Sequence, residues 1–362
     1  MSGLTSSRVV GLFLATALAA SVATPAAALT NEEIALLSGP DREKILIEGA
    51  KKEGSVIWYS TMNGDIVTQP MENAFMKKYP FLKISSVRTG SAEITAKATA
   101  ERDAGRVTVD VMAASAADSL EGTNIAIPFV SPKGKELPEG SVPKTNLFVS
   151  FRNAVNMNAW NTKLMPTKDA PKTWEDLADP KYKGKMVWSD SPASGAPRLI
   201  SHFRAMWGEE KTLEFLKKLQ KQDIRTVPGN AGAVMAQLQA GEFPLIIGFS
   251  GTVVADAKKD GAPVDGVNPE PSLSRASSVA LMKNAPHPHA AMLLIDFLLD
   301  KDGGQKILGE VGYFPMHPAV KTTKDLAFID PNTLGIKQLI LETKVENEMN
   351  KKSTELYTSM FR

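Results

Sequence analysis

The amino-acid sequence predicts an α/β protein. Short apolar runs that are rich in β-branched and aromatic residues alternate with longer segments of helical periodicity. Hydrophobic residues make up 43% and charged residues 23% of the 362 residues, which is ordinary for a globular chain. A chain of this length is expected to form two domains or one large one.

The first 28 residues are typical of a secretory signal peptide. Arg8 precedes an apolar run from Val9 to Ala20, and Ala26–Ala28 fits the small-x-small cleavage pattern. An uncleaved membrane anchor is the alternative, but this run is too short to span a bilayer. We therefore expect a protein of the periplasm that carries no lipid anchor, because the chain has no cysteine to modify.

Charge and cysteine content exclude several classes of function. The 42 Lys and Arg nearly balance the 40 Asp and Glu, so the chain has no overall attraction for nucleic acid. The lack of cysteine excludes disulfides, thiolate zinc sites and cysteine nucleophiles. We expect no bound cofactor and no nucleic-acid partner.

The expected elements follow from the local pattern of apolar residues. The expected strands are Ser55–Ser60, Leu82–Val87, Val109–Ala113, Met186–Ser189, Pro244–Gly248 and Ser277–Lys283. The expected helices include Asp65–Tyr79, Ala92–Ala104, Ala196–Met206, Glu209–Gln220 and Ala231–Ala240. Domain crossovers are expected near residue 150 and within Pro263–Ser274, which would make both domains discontinuous.

Small polar residues follow five of these strands, several of them where a helix begins. They are Ser60, Thr61, Thr89, Gly90, Ser91, Ser115, Ser191, Ser194, Gly195 and Ser250, with Ala196 and Phe249 beside them. Open α/β sheets bind ligands at the carboxyl ends of their strands, where helix N-termini offer unpaired N–H groups. The loops therefore predict a site for a small anion that needs no metal. The alternative for any single loop is an ordinary helix N-cap.

Arg88 is the sharpest candidate among the cations. A guanidinium beside the Gly90–Ser91 helix start could hold a carboxylate or phosphate through two parallel hydrogen bonds. The alternative is a surface arginine paired with Glu93. Arg275, between a proline-rich crossover and a strand, is a weaker second cation.

Two other functions have weak signals in the sequence. Gly248–Thr252 resembles the nucleophile elbow of a serine hydrolase with Ser250 as the nucleophile, but Thr252 stands where that motif needs glycine. A metal site could use the histidines, although they lie among prolines with no adjacent carboxylate; they are His287, His289 and His317. Both signals are weak, and we expect no enzyme activity.

Several segments together resemble a known family. They are EGSVIWYST (53–61), FMKKYPFLKISSVRTGS (75–91), PKTWEDLADPKYKGKMVWSD (171–190), SGA (194–196), AGEFP (240–244) and VGYFPMHP (311–318). The mature chain resembles the periplasmic solute-binding proteins of ABC importers, in the subgroup that includes the ferric-ion-binding proteins.

The resemblance implies a periplasmic-binding-protein-like fold of class II type, with a ligand cleft between two lobes joined by hinge strands. It implies an N-terminal lobe of residues 29–150 plus 279–332 and a C-terminal lobe of 151–278 plus 333–362. It also implies a monomer that captures a small-molecule ligand by lobe closure and delivers it to an inner-membrane ABC permease.

The resemblance also bears on the ligand. Ser194-Gly195-Ala196 matches a helix start that binds a synergistic anion in the ferric proteins, Asn230 sits where a supporting asparagine is expected, and Tyr313 lies in a segment near the cleft. The positions of the two iron-binding tyrosines hold Gly251 and Thr252. Because Fe(III) prefers anionic oxygen ligands, a small organic anion is the expected ligand, and Fe(III) with a synergistic anion is the alternative.

Overall fold

The computed structural model describes residue 1 and residues 29–62, 64–114, 120, 122–190, 195–228, 231–341 and 343–362. The predicted signal peptide therefore lies outside the described residues, except for Met1. No described helix is long and apolar enough to cross a membrane.

Twelve strands are formed by the described residues. They are β1 (Ser55–Ser60), β2 (Lys83–Arg88), β3 (Val111–Ala114), β4 (Ala126–Ile127), β5 (Val149–Asn161), β6 (Met186–Ser189), β7 (Arg225–Val227), β8 (Leu245–Ser250), β9 (Val264–Val267), β10 (Ser272–Met282), β11 (Phe314–Pro315) and β12 (Gln338–Ile340). All six predicted strands are present, and the last of them begins five residues earlier than expected, at Ser272 rather than Ser277.

Eleven α-helices accompany these strands in the described chain. They are α1 (Asn31–Ala35), α2 (Arg42–Glu53), α3 (Gln69–Lys78), α4 (Ser91–Asp103), α5 (Ala196–Gln220), α6 (Ala231–Ala240), α7 (Gly251–Lys259), α8 (Pro288–Leu299), α9 (Gly304–Glu310), α10 (Pro331–Leu334) and α11 (Thr343–Phe361). The two helices expected over 196–220 form one element, α5, with a kink at Gly208. At Gly208 φ is +77°, which glycine adopts without the penalty that a side chain would bring.

The sheet has two parallel halves on either side of an antiparallel centre. Its strand order is β2-β1-β3-β10-β5-β8-β6-β7. Strands β1, β2 and β3 are parallel, as are β6, β7 and β8. The central strands β5 and β10 are antiparallel to each other and to the strand next to each of them. They are therefore the hinge strands, and the predicted α/β class is confirmed.

The buried side chains divide in the same way. One core, which includes Trp58 and Phe75, and a smaller one around Tyr59 lie on the β1–β3 side. Two further cores, one around Trp188 and one around Phe249, lie on the β6–β8 side. The chain therefore buries separate sets of apolar side chains at the two ends of its hinge strands.

Candidate functional site

Arg152 and Arg275 lie on the same face of the hinge strands. In the β5–β10 register Arg152 pairs with Ser277 and Arg275 with Ala154, so all four residues point to one side of the sheet. A register shift at Ser277/Ser278 turns the neighbouring pair, Ser150 and Ser278, to the other side. We call the side of Arg152, Ala154, Asn156, Arg275 and Ser277 the cleft face.

Arg152 is half-buried, and no carboxylate among the described residues compensates its charge. Among the described residues it forms no ion pair, and its buried Nε atom has no hydrogen-bond partner. Its Nη2 lies 3.4 Å from the Thr61 hydroxyl, and its guanidinium carbon lies 5.3 Å from the centre of the Tyr313 ring. Burial, and to a smaller extent the positive charge of Arg275, lowers the pKa of Arg152 to about 10, which leaves the guanidinium charged at neutral pH.

The carboxyl ends of β1, β2 and β3 meet beside Arg152. Ser60 pairs with Arg88 on one side and with Ala113 on the other. The Thr89 N–H donates to the Ser60 carbonyl, and the Thr61 N–H donates to the Ala113 carbonyl. Thr61 is half-buried and reaches the cleft face, whereas the fully buried Ser60 hydroxyl accepts a hydrogen bond from the Met62 N–H and so braces the turn.

Arg88 stands at the exposed end of β2. It forms no ion pair with Glu93 in the described part of the chain, and the Glu93 carboxylate instead lies close over Gly90, the residue before α4. The surface pairing considered from the sequence is therefore wrong. Thr89 is half-buried, Gly90 is exposed, and α4 begins at Ser91, whose side chain is outside the description.

On the other side of the hinge, α7 begins at the carboxyl end of β8. Ser250 pairs with Asn156 of the cleft face, which brings the start of α7 to the hinge strands. The Ser250 hydroxyl lies 3.1 Å from the Thr252 hydroxyl, while the Phe249 side chain is buried in a core rather than exposed to the cleft. Gly195 caps α5, and Ala196 is buried in that helix's first turn.

Some predicted site residues lie outside the described residues. They are Ser115, Ser191, Ser194 and Asn230.

The histidines downstream of Ser250 are engaged elsewhere. His287 bonds to Asp110 and Ser55, His289 to Glu53, and the His317 Nε2 lies 3.3 Å from a Glu136 oxygen. In the described ranges no three His, Cys, Asp or Glu side chains are grouped as a metal site would require. The hydrolase alternative is unsupported, because Thr252 and not a histidine lies beside the Ser250 hydroxyl.

Arg152 and Asn156 were missed at the level of sequence. The run FRNAVNM (151–157) alternates buried and half-buried positions, and Arg152, Ala154 and Asn156 share the half-buried side. This alternation was the available signal for a two-faced strand. The sequence predicted only a domain crossover near residue 150. The strand was not predicted because it contains more polar residues than a buried strand usually has.

Comparison with known proteins agrees with this architecture. The family model of bacterial extracellular solute-binding proteins matches residues 71–329. A putative 2-aminoethylphosphonate-binding periplasmic protein of Salmonella typhi is 24% identical over 155 residues, which cover 41% of this chain and 45% of that protein.

Two solved structures share the fold. A Trichodesmium protein in complex with iron and citrate has a TM-score of 0.69 at 20% identity, covering 85% of this chain and 99% of that one. The periplasmic binding protein AfuA from Actinobacillus pleuropneumoniae, with fructose-6-phosphate bound, has a TM-score of 0.62 at 21% identity, covering 85% and 98%. The match over 71–329 spans more than half of the sequence, and the chain belongs to the family of bacterial extracellular solute-binding proteins.

Proposed function

We propose that this protein, the substrate-binding component of an ABC transporter, captures a small organic anion between its lobes and delivers it to a membrane permease. The observation that carries the ligand class is Arg152, a half-buried cation on a hinge strand with no compensating carboxylate among the described residues. Burying an unpaired charge is costly, and an anion in the cleft would remove that cost.

The side chains favour an organic anion over a bare ferric ion. Four of the five tyrosines are buried within cores. Three of these four hydroxyls already form hydrogen bonds. Tyr59 bonds to Glu101, Tyr182 to the Asp169 carbonyl and Tyr357 to Thr226. Tyr313 alone reaches the cleft face, so Fe(III) would lack the pair of phenolate ligands that its chemistry favours.

The buried cores support a division of the chain into two lobes that would close on the ligand. We propose an N-terminal lobe of residues 29–150 plus 279–332 and a C-terminal lobe of 151–278 plus 333–362. Phe75 and Leu293 share a core on one side, and Trp188 and Tyr357 share a core on the other. Leu326 and Ile329 pack in the core around Phe249, which favours moving the later boundary to precede Leu326.

The mechanism is a shift in the equilibrium between open and closed lobes. A ligand that contacts both lobes only when they are closed binds that state better and increases its population. A charge-assisted hydrogen bond contributes about 1.5–3 kcal/mol, so a few of them supply much of the roughly 8 kcal/mol of a micromolar complex. We propose that the function is binding alone, in the periplasm, by a monomer without cofactor.

The first prediction concerns Arg152→Gln. We expect it to weaken binding of the best anion at least tenfold (about 1.4 kcal/mol or more), because it removes the half-buried positive charge. The measurement is calorimetry after a thermal-shift screen of 2-aminoethylphosphonate, fructose 6-phosphate, citrate, citrate with Fe(III), glycerol and putrescine.

Arg225→Gln is the matched control, because Arg225 is an exposed residue at the far edge of the sheet and should leave affinity unchanged. The proposal is contradicted if glycerol or putrescine raises the melting temperature and none of the anions does. Tyrosinate colour with Fe(III) would favour the iron alternative, and ester turnover abolished by Ser250→Ala would contradict a purely binding role.

A further inference from the structure

Resting on the proposed anion capture, we propose that Asn156, Ser250 and Thr252 form an uncharged subsite for a body that carries several hydroxyl groups. The solute is then a hydroxylated organic anion, such as a sugar acid or a sugar phosphate. Arg152 holds the charged end of that solute, and the three uncharged side chains, which we call the hydroxyl subsite, hold its hydroxyl groups. Asn156 is the residue that would determine this specificity.

Asn156 and Ser250 lie opposite each other on the hinge strand β5 and its neighbour β8. The two residues are paired directly in the antiparallel register, so their side chains project from the same side of the sheet. Directly opposed residues have Cβ atoms about 4.5–5.5 Å apart, close enough for one small solute to contact both. The Ser250 hydroxyl lies 3.1 Å from the Thr252 hydroxyl. One amide and two hydroxyls are therefore grouped on the β8 side of the cleft face.

Structural roles leave these polar groups available to a ligand. Ser250 stands at the N-cap position of α7, yet its side chain makes no cap hydrogen bond to that helix. Its hydroxyl is near that of Thr252 instead, and no side-chain hydrogen bond joins Asn156 to another described residue. All three residues are half-buried, so each would lose water when the lobes close. Dehydrating a polar group without a partner is costly, and the hydroxyls of a solute would supply the partners.

The donors and acceptors of the hydroxyl subsite match the hydroxyl groups of a solute. An asparagine amide has two N–H donors and a carbonyl acceptor, and a serine or threonine hydroxyl both donates and accepts. A solute hydroxyl also donates and accepts, so it can satisfy either kind of group. An ionised carboxylate only accepts and an ammonium group only donates, so each would leave part of the subsite unpaired.

The charge of Arg152 and the hydroxyl subsite lie at different places along the cleft. Arg152 and Asn156 are four residues apart on one face of β5, so their Cα atoms are about 13 Å apart. The Arg152 Nη2 lies 3.4 Å from the Thr61 hydroxyl at the end of β1, whereas Ser250 ends β8 on the other side of the hinge strands. A bare oxyanion would not reach from one to the other, but a carbon chain or ring with an anionic group at one end would contact both sides.

The test uses two pairs of probes that share a charged head and a six-carbon skeleton and differ in their hydroxyl groups. Gluconate is compared with hexanoate, and fructose 6-phosphate with hexyl phosphate, by calorimetry on the mature protein near neutral pH. We expect the hydroxylated member of at least one pair to bind at least about tenfold more tightly than the other, because the plain chain leaves the polar groups unpaired. The pair that binds identifies the charged head as a carboxylate or a phosphate.

Two substitutions assign this preference to the hydroxyl subsite. Asn156→Leu and Thr252→Val each keep the approximate size of the side chain and remove its hydrogen-bonding groups. We expect each to reduce the affinity ratio within a pair to about threefold or less, while affinity for the plain chain changes by less than about twofold. Thr162→Val is the matched control, because Thr162 is exposed just past the far end of β5 and should keep the wild-type ratio. Melting temperatures show whether each variant is folded.

The outcomes separate this inference from the proposed function. Equal affinity within both pairs, or a preference that survives both substitutions in folded proteins, overturns the hydroxyl subsite while anion capture stands. Tighter binding of hexanoate or hexyl phosphate also overturns it, as does binding of citrate or 2-aminoethylphosphonate when neither hydroxylated probe binds. Failure of every anion, in the screen and in both pairs, contradicts the proposed function itself.

Discussion

Gly248 shapes the chain just before the site loop at Ser250. Its φ is +65° within β8, next to the register shift between β8 and β5. An added Cβ would lie 2.6 Å from Cδ2 of Leu199, a core residue of α5. Both the backbone conformation and the space therefore require glycine here.

We predict that Gly248→Ala lowers the free energy of unfolding by about 2–4 kcal/mol, because a left-handed alanine and a core clash add together. Gly261→Ala is the matched control, since Gly261 has a similar φ of +81° but no atom within 4 Å of its added Cβ. We expect the control to cost about 1–2 kcal/mol in urea unfolding. Equal losses for the two variants would show that Leu199 moves aside freely.

For single residues, the sequence indicated that polar side chains follow β1 but not which of them faces the cleft. Thr61 reaches the cleft face, but Ser60 beside it is fully buried and braces a turn. The difference depends on which way each side chain points at the end of β1, and composition does not encode that. The sequence did not indicate Arg152 as a site residue. What distinguishes it is a buried Nε atom without a hydrogen-bond partner among the described residues, and only the folded structure shows this.

Among the elements, α8 depends on other parts of the chain for its N-terminal cap. Its N-cap residue, His287, makes no side-chain cap, and almost every residue of the helix is buried. The Asp110 carboxylate accepts from the His287 N–H, and the Glu53 carboxylate accepts from the N–H groups of His289 and Ala290. Negative charge at a helix N-terminus satisfies unpaired donors and complements the helix dipole.

We predict that Glu53→Ala lowers the free energy of unfolding by about 1–2 kcal/mol, through the loss of these hydrogen bonds. Glu53→Gln should cost less, because it keeps an acceptor oxygen. Glu48→Ala tests the same substitution at an exposed position of α2 and should change stability little. Equal denaturation midpoints for Glu53→Ala and Glu48→Ala would rule out this capping role.

Elements with strong local signals were predicted well, and those whose identity depends on neighbours were not. The strands at Ser55–Ser60 and Met186–Ser189 have the predicted bounds because they are short apolar runs. For the hinge strand β5 the sequence predicted only a domain crossover. Its polar side chains are not typical of a buried strand, and only the two lobes on either side explain them. The helix α8 was absent from the predicted helices because its cap comes from residues distant in sequence.

Across the whole molecule, the hinge strands have a second face behind the cleft face. A cavity of about 370 Å³ lies there, lined by Ser150, Ala276 and Ser278 of the hinge strands. Phe148 lines it near the start of β5, and Leu339 of β12 lines it from the C-terminal segment. Closing the lobes in front of a central hinge separates the surfaces behind it, so this cavity should widen as the cleft closes.

We predict that Ala276→Leu, which adds bulk behind the hinge, raises anion affinity about threefold or more by disfavouring the open state. Ala154→Leu, on the cleft face of the other hinge strand, is the matched counterpart and should weaken binding. Small-angle scattering of the ligand-free variants reports the lobe separation alongside calorimetry. Unchanged affinity and unchanged lobe separation in a folded Ala276→Leu protein would argue against this coupling.

The large-scale plan was accessible from sequence, and the family resemblance is confirmed. The β/α alternation predicted the class. The arrangement of charge was not accessible, because the diagonal placement of Arg152 and Arg275 depends on the β5–β10 register and its shift at Ser277/Ser278.

The two arginines stand on the strands about which the lobes turn. Atoms near a pivot move least when two lobes open and close, so we expect this part of the cleft to keep nearly the same geometry in both states. A solute held by Arg152, as proposed, would find this part of its binding site already formed before the lobes close. Opening the lobes alone would leave the contacts at the hinge in place. Release into the permease would then require the transporter to move the solute away from the hinge strands.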